Sequence, residues 1–359
     1  MASELSVDAG GVIIGGGAPV VGQSMTNTPT TDVAATLEQI ERLHLLGAEL
    51  VRVSVPDDAS ARGLPAILEK TPVPLVADIH FDPELAMAAL DAGIHKLRLN
   101  PGNIRKPADV ERVARRAAEL SVPIRIGVNS GSVPGDLRGR YGGVNADSMW
   151  AAAERHVGLL EKIGFVDIVL SLKASDPQLT VEANLRASRE RGYPIHLGVT
   201  EAGPPLSGGV RTAVAFTRLL DRGIGDTIRV SLSGSPEPEP VVAWEILSSL
   251  GLRREFLRVV GCPTCARSRM DVGALAETVE RALLGVRGNL TVAVMGCEVN
   301  GPGEAREADV AVIATPAGFM LFSRGSLVRR LDEKELLPAV RQEVDRLLAA
   351  GHNHQGGKI

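Results

Sequence analysis

The sequence predicts an α/β protein with two domains, and three features support this interpretation. Over Pro19–Leu232, eight short apolar runs alternate with stretches of helical periodicity. Glycines such as Gly47 and Gly164 follow several helical stretches, as is common where a helix ends in the left-handed conformation. Beyond this region the pattern changes to a shorter series of strands and helices. We therefore predict a first domain over residues 1–248 and a second over residues 249–359.

In the first domain each apolar run is predicted to be a strand followed by an amphipathic helix. The strands are Pro19–Met25, Leu50–Val55, Pro74–His80, Lys96–Asn100, Ile124–Asn129, Asp167–Lys173, Ile195–Thr200 and Thr227–Leu232. The clearest helices are Asp32–Leu46, Pro107–Leu120, Asn145–Ile163 and Ser207–Leu220. Eight strand–helix units within about 250 residues are typical of a (β/α)8, or TIM, barrel. A doubly wound open sheet is the alternative, but eight evenly spaced units fit a closed barrel better.

The segments on either side of the predicted barrel have patterns of their own. Before the first strand, the glycine-rich Val7–Gly17 is typical of a hairpin that could plug the bottom of the barrel. Residues 247–254 look like a connector to the second domain. That domain is predicted to contain strands at Phe256–Val260, Leu290–Met295, Ala308–Ala314 and Phe319–Phe322 and helices at Val272–Leu284 and Glu333–Ala350. These elements suffice for a smaller α/β domain with its own core.

Composition and charge exclude several classes of protein. Apolar residues make up 44% of the chain, which excludes disorder over the whole length. The net charge of −4 and the aromatic content of 3% argue against a nucleic-acid-binding protein. The N-terminus lacks the pattern of a signal peptide, and no run approaches the roughly 20 apolar residues of a membrane span. We expect a soluble, cytoplasmic protein with no nucleic-acid or membrane partner.

Polar residues recur at every second position toward the C-terminal ends of the predicted barrel strands. Alternate residues of a strand point to one side, and the C-terminal ends form the mouth where barrel enzymes hold their active sites. The cations of this set are Arg52, Arg98, Arg125, Lys173 and Arg229. The other members are Ser54, Asp78, His80, Asn100, Asn129, Ser171 and Ser231. Asp78 and Glu201 do not balance five cations, so the set predicts a site for a polyanion such as a diphosphate. Internal ion pairs that brace the barrel are the alternative.

Three cysteines follow predicted strands of the second domain, namely Cys262, Cys265 and Cys297. The first two form a Cys-Pro-Thr-Cys turn, and an odd number of cysteines argues against a disulfide framework. Three thiolates can hold an iron–sulfur cluster with one iron left for another ligand, for which Glu304 is the first candidate. Glu298 and Glu307 are weaker candidates for the same role. Spacing alone leaves a zinc site and unligated thiols open as alternatives.

Two segments of the second domain resemble the cluster motif of the 4-hydroxy-3-methylbut-2-enyl diphosphate synthase family. They are Gly261-Cys-Pro-Thr-Cys-Ala-Arg267 and Met295-Gly-Cys-Glu-Val-Asn-Gly-Pro-Gly-Glu-Ala305. Barrel segments resemble this family too, among them Ala77-Asp-Ile-His80, Leu97-Arg-Leu-Asn-Pro-Gly-Asn103, Gly198-Val-Thr-Glu-Ala-Gly203 and Ile228-Arg-Val-Ser231. The resemblance runs in order through nearly the whole chain and is to the compact bacterial form.

The resemblance implies an oxidoreductase of isoprenoid-precursor biosynthesis. In this family 2-C-methyl-D-erythritol 2,4-cyclodiphosphate is opened and dehydrated to (E)-4-hydroxy-3-methylbut-2-enyl diphosphate. Two electrons arrive singly, from reduced ferredoxin or flavodoxin, through a [4Fe-4S] cluster. The implied architecture is a homodimer in which the cluster domain of one subunit covers the barrel of the other.

The resemblance also implies roles for individual residues. The cluster ligands would be Cys262, Cys265, Cys297 and Glu304. Glu201 would be the catalytic acid or base, and Glu304 would yield its iron to a substrate oxygen. The resemblance and the pattern at the barrel mouth together imply a set of substrate-binding residues. They are Arg52, Asp78, His80, Arg98, Asn100, Arg125, Asn129, Lys173, Arg229 and Ser231.

Two other classes of function remain open on the sequence. One is a zinc-stabilised barrel hydrolase or lyase that acts on a sugar phosphate, which would be colourless and contain zinc. The other is an iron–sulfur sensor whose barrel binds a phosphorylated effector, which would carry a cluster without turnover.

Overall fold

A computed structural model of the chain describes residues 3–79, 82–99, 106–268, 270–299 and 301–355, with the side chains of the last five left out. The chain forms two compact units that meet in sequence between Arg253 and Arg254. Each unit is built around its own sheet.

The first unit begins with a hairpin and continues as a parallel sheet. The hairpin strands are β1 (Ser6–Ala9) and β2 (Val12–Gly15). The sheet contains β3 (Val21–Met25), β4 (Leu50–Ser54), β5 (Leu75–Ile79), β6 (Lys96–Leu99), β7 (Ile124–Asn129), β8 (Ile168–Lys173), β9 (His196–Leu197) and β10 (Thr227–Ile228). Its spatial order is β8-β7-β6-β5-β4-β3-β10-β9, and a parallel bridge between Leu170 and Ile195 joins the two ends. The predicted TIM barrel is therefore confirmed, and the open doubly wound sheet is excluded.

Helices follow the barrel strands in turn. They are α1 (Val33–Leu45), α2 (Asp58–Leu68), α3 (Pro83–Asp91), α4 (Pro107–Glu119), α5 (Gly135–Arg140), α6 (Ala146–Lys162), α7 (Pro177–Glu190), α8 (Pro205–Leu220) and α9 (Pro238–Ser249). Both α5 and α6 follow β7, after a 3₁₀ turn at Ser130–Ser132. Several helices begin with a side-chain cap. At the start of α6, for example, Oδ1 of Asn145 accepts a hydrogen bond from the backbone N–H of Ser148 at 2.9 Å. Since α9 extends to Ser249, the predicted connector begins later than expected.

The N-terminal hairpin covers the bottom of the barrel, as predicted. Its apolar residues share a buried cluster with the beginnings of three barrel strands: Val7, Ala9, Ile14, Val21, Leu50 and Val169. Beside this cluster the carboxylate of Asp226 accepts hydrogen bonds from Ser3 Oγ at 2.6 Å and from the backbone N–H of Ile195 at 2.7 Å. Ser3 is thus fixed beside the strands that close the barrel.

The second unit is a five-stranded sheet with helices. Its strands are, in spatial order, β11 (Arg258–Gly261), β12 (Thr291–Met295), β13 (Val310–Thr315), β14 (Gly318–Ser323) and β15 (Ser326–Leu331). Strands β11 to β13 are parallel, and β13 to β15 form an antiparallel meander. The helices are α10 (Val272–Leu283), α11 (Gly301–Glu304) and α12 (Glu333–Gln355). Apolar residues of α10 and α12 share one buried cluster with the strands, which gives this unit the separate core that the sequence predicts.

The sequence did not predict β15 or α11. Five of the six residues of β15 are exposed, so the strand lacks the alternation of buried and exposed positions that marks most strands. Helix α11 is a single turn. Within the described part of the chain, every helix is too short or too polar to span a bilayer.

Candidate active site

A pocket with a cavity volume of about 120 Å³ lies inside the barrel, among residues near the C-terminal ends of its strands. Its lining consists of Arg52, Asp78, Arg98, Arg125, Gly127, Asn129, Ser171, Lys173, Thr200, Arg229 and Ser231. All the predicted substrate-binding residues that the structure describes are in this set. His80 and Asn100 were predicted for the same site and lie outside the described residues.

Strand periodicity and register bring these side chains together. In β7, alternate residues Arg125, Gly127 and Asn129 all line the pocket. The register pairs Arg98 of β6 with Arg125, and Lys173 of β8 with Asn129. Thus a period of two within each strand, repeated on adjacent parallel strands, brings these polar groups to one interior pocket.

Two carboxylates neutralise part of the positive charge. Asp78 forms an ion pair with Arg98 at 2.9 Å (Nη1 to Oδ1) and a longer one with Arg52 at 3.7 Å (Nε to Oδ2). Glu239, at the start of α9, accepts from Arg229 at 3.2 Å and from the backbone N–H of Leu232 at 3.0 Å. Glu239 lies outside the pocket lining and was not predicted, because its pairing depends on how α9 packs against β3.

The remaining pocket cations, Arg125 and Lys173, have no carboxylate partner in the part of the chain that the structure describes. The Arg125 side chain is buried, and its Nε and Nη1 atoms have no hydrogen-bond partner among the described residues. In the described part of the chain, Arg125 and Lys173 lie within ion-pair distance of no carboxylate. Burial, followed by the repulsion of neighbouring cations, lowers the pKa of both groups well below their ordinary values. Burial also lowers the pKa of Arg52 to about 10. The pocket therefore has an excess of positive charge that an anion would neutralise.

Two glycines make room for the cationic side chains. A Cβ atom at Gly127 would lie 3.0 Å from Nε of Arg98, and one at Gly198 would lie 2.6 Å from Nζ of Lys173. These glycines were not predicted to be part of the site. The available signal was a glycine inside a strand pattern, which often marks a close approach by another group.

Glu201, the predicted acid or base, is not part of the pocket lining. It is exposed and immediately follows Thr200, which does line the pocket. Its backbone has a φ of +52°, a left-handed conformation that is uncommon outside glycine, asparagine and aspartate. The structure thus places the Glu201 backbone next to the pocket without bringing its carboxylate into the lining.

The cysteines lie in the second unit, after neighbouring strands. Cys262 follows β11 and Cys297 follows β12, and the backbone N–H of Gly296 donates to Cys262 Sγ at 3.3 Å. Cys265 is exposed, and hydrogen bonds from the backbone and side chain of Arg267 lower the pKa of its thiol. Glu304 is exposed at the end of α11. Over the described residues, no three Cys, His, Asp or Glu side chains are gathered in a metal-binding arrangement.

The donors nevertheless fit an iron–sulfur cluster in their chemistry. All three thiols are free, and thiolates with a harder carboxylate are the donor set expected for a cluster with one exchangeable iron. A Cβ at Gly296 would lie 2.5 Å from both Ser268 Oγ and Val272 Cγ2, so only glycine lets the two cysteine-bearing segments pack this closely. The hydrogen bond from the Gly296 amide to Cys262 Sγ is also of the kind that adjusts the reduction potential of an iron–sulfur cluster.

The fold and the pocket define a class: a TIM-barrel protein with a cation-lined interior pocket, continued by a thiol-bearing α/β domain. Comparison with known proteins agrees with this. The model of the GcpE TIM-barrel domain matches residues 4–244, and the model of the GcpE protein C-terminal domain matches residues 258–346.

Individual relatives cover nearly the whole chain. The 4-hydroxy-3-methylbut-2-en-1-yl diphosphate synthase (flavodoxin) of Geobacter sulfurreducens is 47% identical, over 98% of this chain and 99% of the relative. The enzyme of the same name from Clostridium tetani is 44% identical, over 96% and 98% respectively. A solved dihydropteroate synthase from Yersinia pestis has a TM-score of 0.50 at 14% identity, covers 69% of this chain and 100% of its own, and supports the barrel fold alone.

The chain belongs to the 4-hydroxy-3-methylbut-2-en-1-yl diphosphate synthase (GcpE) family. This confirms the family inferred from the cysteine and barrel motifs, and with it an oxidoreductase of isoprenoid biosynthesis. Family membership favours this enzyme over the zinc hydrolase or lyase and over the iron–sulfur sensor.

Proposed function

We propose that this chain converts 2-C-methyl-D-erythritol 2,4-cyclodiphosphate to (E)-4-hydroxy-3-methylbut-2-enyl diphosphate and binds the diphosphate in the barrel pocket. The reaction opens the ring at a carbon–oxygen bond, consumes two electrons and two protons, and releases water. The observation that carries the pocket assignment is the excess of buried positive charge, in which Arg125 and Lys173 have no carboxylate partner among the described residues. Family membership supplies the reaction.

In this proposal the cations do two things. Arg98 and Arg125 lie side by side on adjacent strands and orient the phosphate groups, to which guanidinium groups can donate two hydrogen bonds each. When the ring carbon–oxygen bond breaks, negative charge develops on the departing diphosphate oxygen. Fixed cations in a site of low dielectric stabilise that charge without reorganising, which lowers the barrier for bond cleavage.

Cys262, Cys265, Cys297 and Glu304 are proposed to hold a [4Fe-4S] cluster. When bound, the cluster supplies single-electron transfer and an iron that acts as a Lewis acid. Flavodoxin appears in the names of the relatives and is the proposed donor, with ferredoxin as the alternative. A cytoplasmic location is part of the same proposal, because three free thiols suit a reducing compartment.

Glu201 is proposed to be the acid or base that moves a proton at the substrate. Replacing Glu201 with Gln keeps the size of the side chain but removes its ability to exchange a proton, so we expect turnover to fall by roughly 100-fold or more. Iron content and diphosphate affinity should stay at wild-type values. The measurement is steady-state turnover with a reduced one-electron donor, together with iron analysis.

The matched control for this experiment is Glu182→Gln. Glu182 is an exposed residue of α7, and its substitution should leave turnover unchanged. Normal turnover by the Glu201→Gln variant would remove Glu201 from the mechanism.

A homodimer is also proposed, and an apolar stripe on α8 supports it. Leu206, Val210 and Val214 are spaced four residues apart and are 84%, 57% and 50% exposed. Charging this stripe with Leu206→Glu and Val210→Glu should convert the dimer to a monomer in light scattering after size exclusion, because a buried carboxylate is costly. The control is Leu45→Glu, which charges a single exposed leucine on α1 and should leave the dimer intact. A wild-type protein that is monomeric at micromolar concentration would exclude the homodimer.

A further inference from the structure

A buried histidine contacts the pocket lysine from behind the pocket. The amino group of Lys173 lies 3.1 Å from Nε2 of His196, which is fully buried and outside the pocket lining. A protonated lysine amino group has only donors, so Nε2 accepts when Lys173 carries the charge that a diphosphate would pair with. The other ring nitrogen, Nδ1, then carries the hydrogen and donates to Oγ1 of Thr227. Lys173, His196 and Thr227 therefore form one chain of hydrogen bonds.

The fold holds this chain of hydrogen bonds rigidly. Its three residues stand on β8, β9 and β10, and His196 and Thr227 are direct partners in the register of the last two strands. Gly198, two residues beyond His196, leaves the space through which the lysine amino group reaches the histidine. Burial and the neighbouring lysine lower the pKa of His196 well below its ordinary value, which keeps the ring neutral and Nε2 able to accept.

We propose that His196 and Thr227 are positioning residues that fix the Lys173 amino group for the substrate diphosphate. This inference rests on the proposed function, since it needs the pocket to bind a diphosphate. A lysine side chain has several rotatable bonds, and fixing it before the ligand arrives avoids an entropy loss on binding. Neither positioning residue touches the ligand, so both act through the lysine.

The decisive variant is Thr227→Val, which keeps the shape of the side chain and removes the acceptor of the His196 hydrogen. Calorimetry on the holoenzyme would measure the affinity for inorganic diphosphate, and steady-state kinetics would give KM and kcat for the cyclic diphosphate. We expect Kd and KM to rise about tenfold, as for the loss of one buried hydrogen bond, while kcat changes by less than about twofold. Thr227→Ser restores the hydroxyl and should return both values to within about twofold of wild type.

A second comparison separates positioning from general damage to the barrel. In a Lys173→Met background, Thr227→Val should cause no further loss of diphosphate affinity, because its effect passes through the lysine. An equal loss in both backgrounds, or wild-type affinity in Thr227→Val, would overturn the inference. If Thr227→Val does not fold, His196→Gln and His196→Leu replace it: only glutamine retains an acceptor near Lys173, so only leucine should weaken binding.

Failure of the proposed function has a different signature. A wild-type holoenzyme that binds no diphosphate would overturn the pocket assignment, and this inference with it. A wild-type holoenzyme that binds diphosphate, with affinity unaffected by Thr227→Val, would overturn only the positioning role.

Discussion

Replacing Arg125 with methionine should make the ligand-free protein more stable and nearly abolish diphosphate binding. Arg125 is 1% exposed, and two of its nitrogens have no partner among the described residues. Apolar residues that replace buried ions of similar volume often stabilise a protein, by about 1–4 kcal/mol. Removing a buried charge that pairs with a ligand commonly costs about 2–5 kcal/mol of binding, so the affinity should fall by at least roughly 30-fold.

Two measurements check this result. Differential scanning calorimetry without ligand should show a rise of a few degrees in Tm, and titration with inorganic diphosphate should show the loss of binding. Arg115→Met is the matched control, since Arg115 is exposed on α4 and pairs only with Glu111 there. If Arg125→Met lowers Tm and leaves diphosphate affinity intact, Arg125 braces the barrel, which is the alternative that the sequence left open.

Replacing Cys297 with serine should remove the iron–sulfur cluster and all turnover. Serine is a much weaker ligand for iron than a thiolate, and its hydroxyl stays protonated at neutral pH. Anaerobically purified wild-type protein should contain about four irons and four sulfides per chain, and the variant almost none. Because Cys297 belongs to the second unit, the barrel should keep its affinity for inorganic diphosphate, which reports on its folding independently.

The control for this substitution is Val299→Ala, since Val299 is an exposed neighbour of the same segment and offers no ligand. Its iron and sulfide content should equal that of the wild type. Full iron content in Cys297→Ser would exclude Cys297 as a ligand. Zinc without sulfide in the wild-type protein would overturn the cluster proposal and favour a structural zinc.

Much of the barrel and its pocket could be predicted because strand periodicity is a local property. Arg125 illustrates this, since it lies four residues before Asn129 and therefore on the same side of β7, and both line the pocket. Strand ends were predicted less well. Strands β9 and β10 have two residues each, although six were predicted for each, because few of the later backbone groups join the ladder. Examples of the scattered bonds that continue it are those from Arg229 N–H to the Leu197 carbonyl at 3.0 Å and from Thr200 N–H to the Ala174 carbonyl at 3.1 Å.

Other parts of the site depend on packing between elements that are distant in sequence, which local patterns do not predict. Glu239 contacts Arg229 because α9 packs against β3 and places its first turn beside the residues that follow β10. His196 and Thr227 share the inward parity of their strands. Thr227 is uncharged and burial lowers the pKa of His196, so neither belongs to the set of cations that marks the pocket in the sequence. The arrangement of the cysteines also depends on how two loops of the second unit meet, which spacing alone left undecided.

The hairpin at the bottom of the barrel has a consequence for the order in which the chain folds. Ser3 is bonded to Asp226, a residue 223 positions later in the sequence. During synthesis the N-terminal segment leaves the ribosome first, yet two of its partners, Gly192 and Asp226, emerge only after much of the barrel has been made. Such long-range contacts slow folding, because the entropy of closing the chain must be overcome before they form. The barrel is therefore expected to close late, and the hydrogen bond that ties Ser3 to Asp226 can form only after Asp226 has been made.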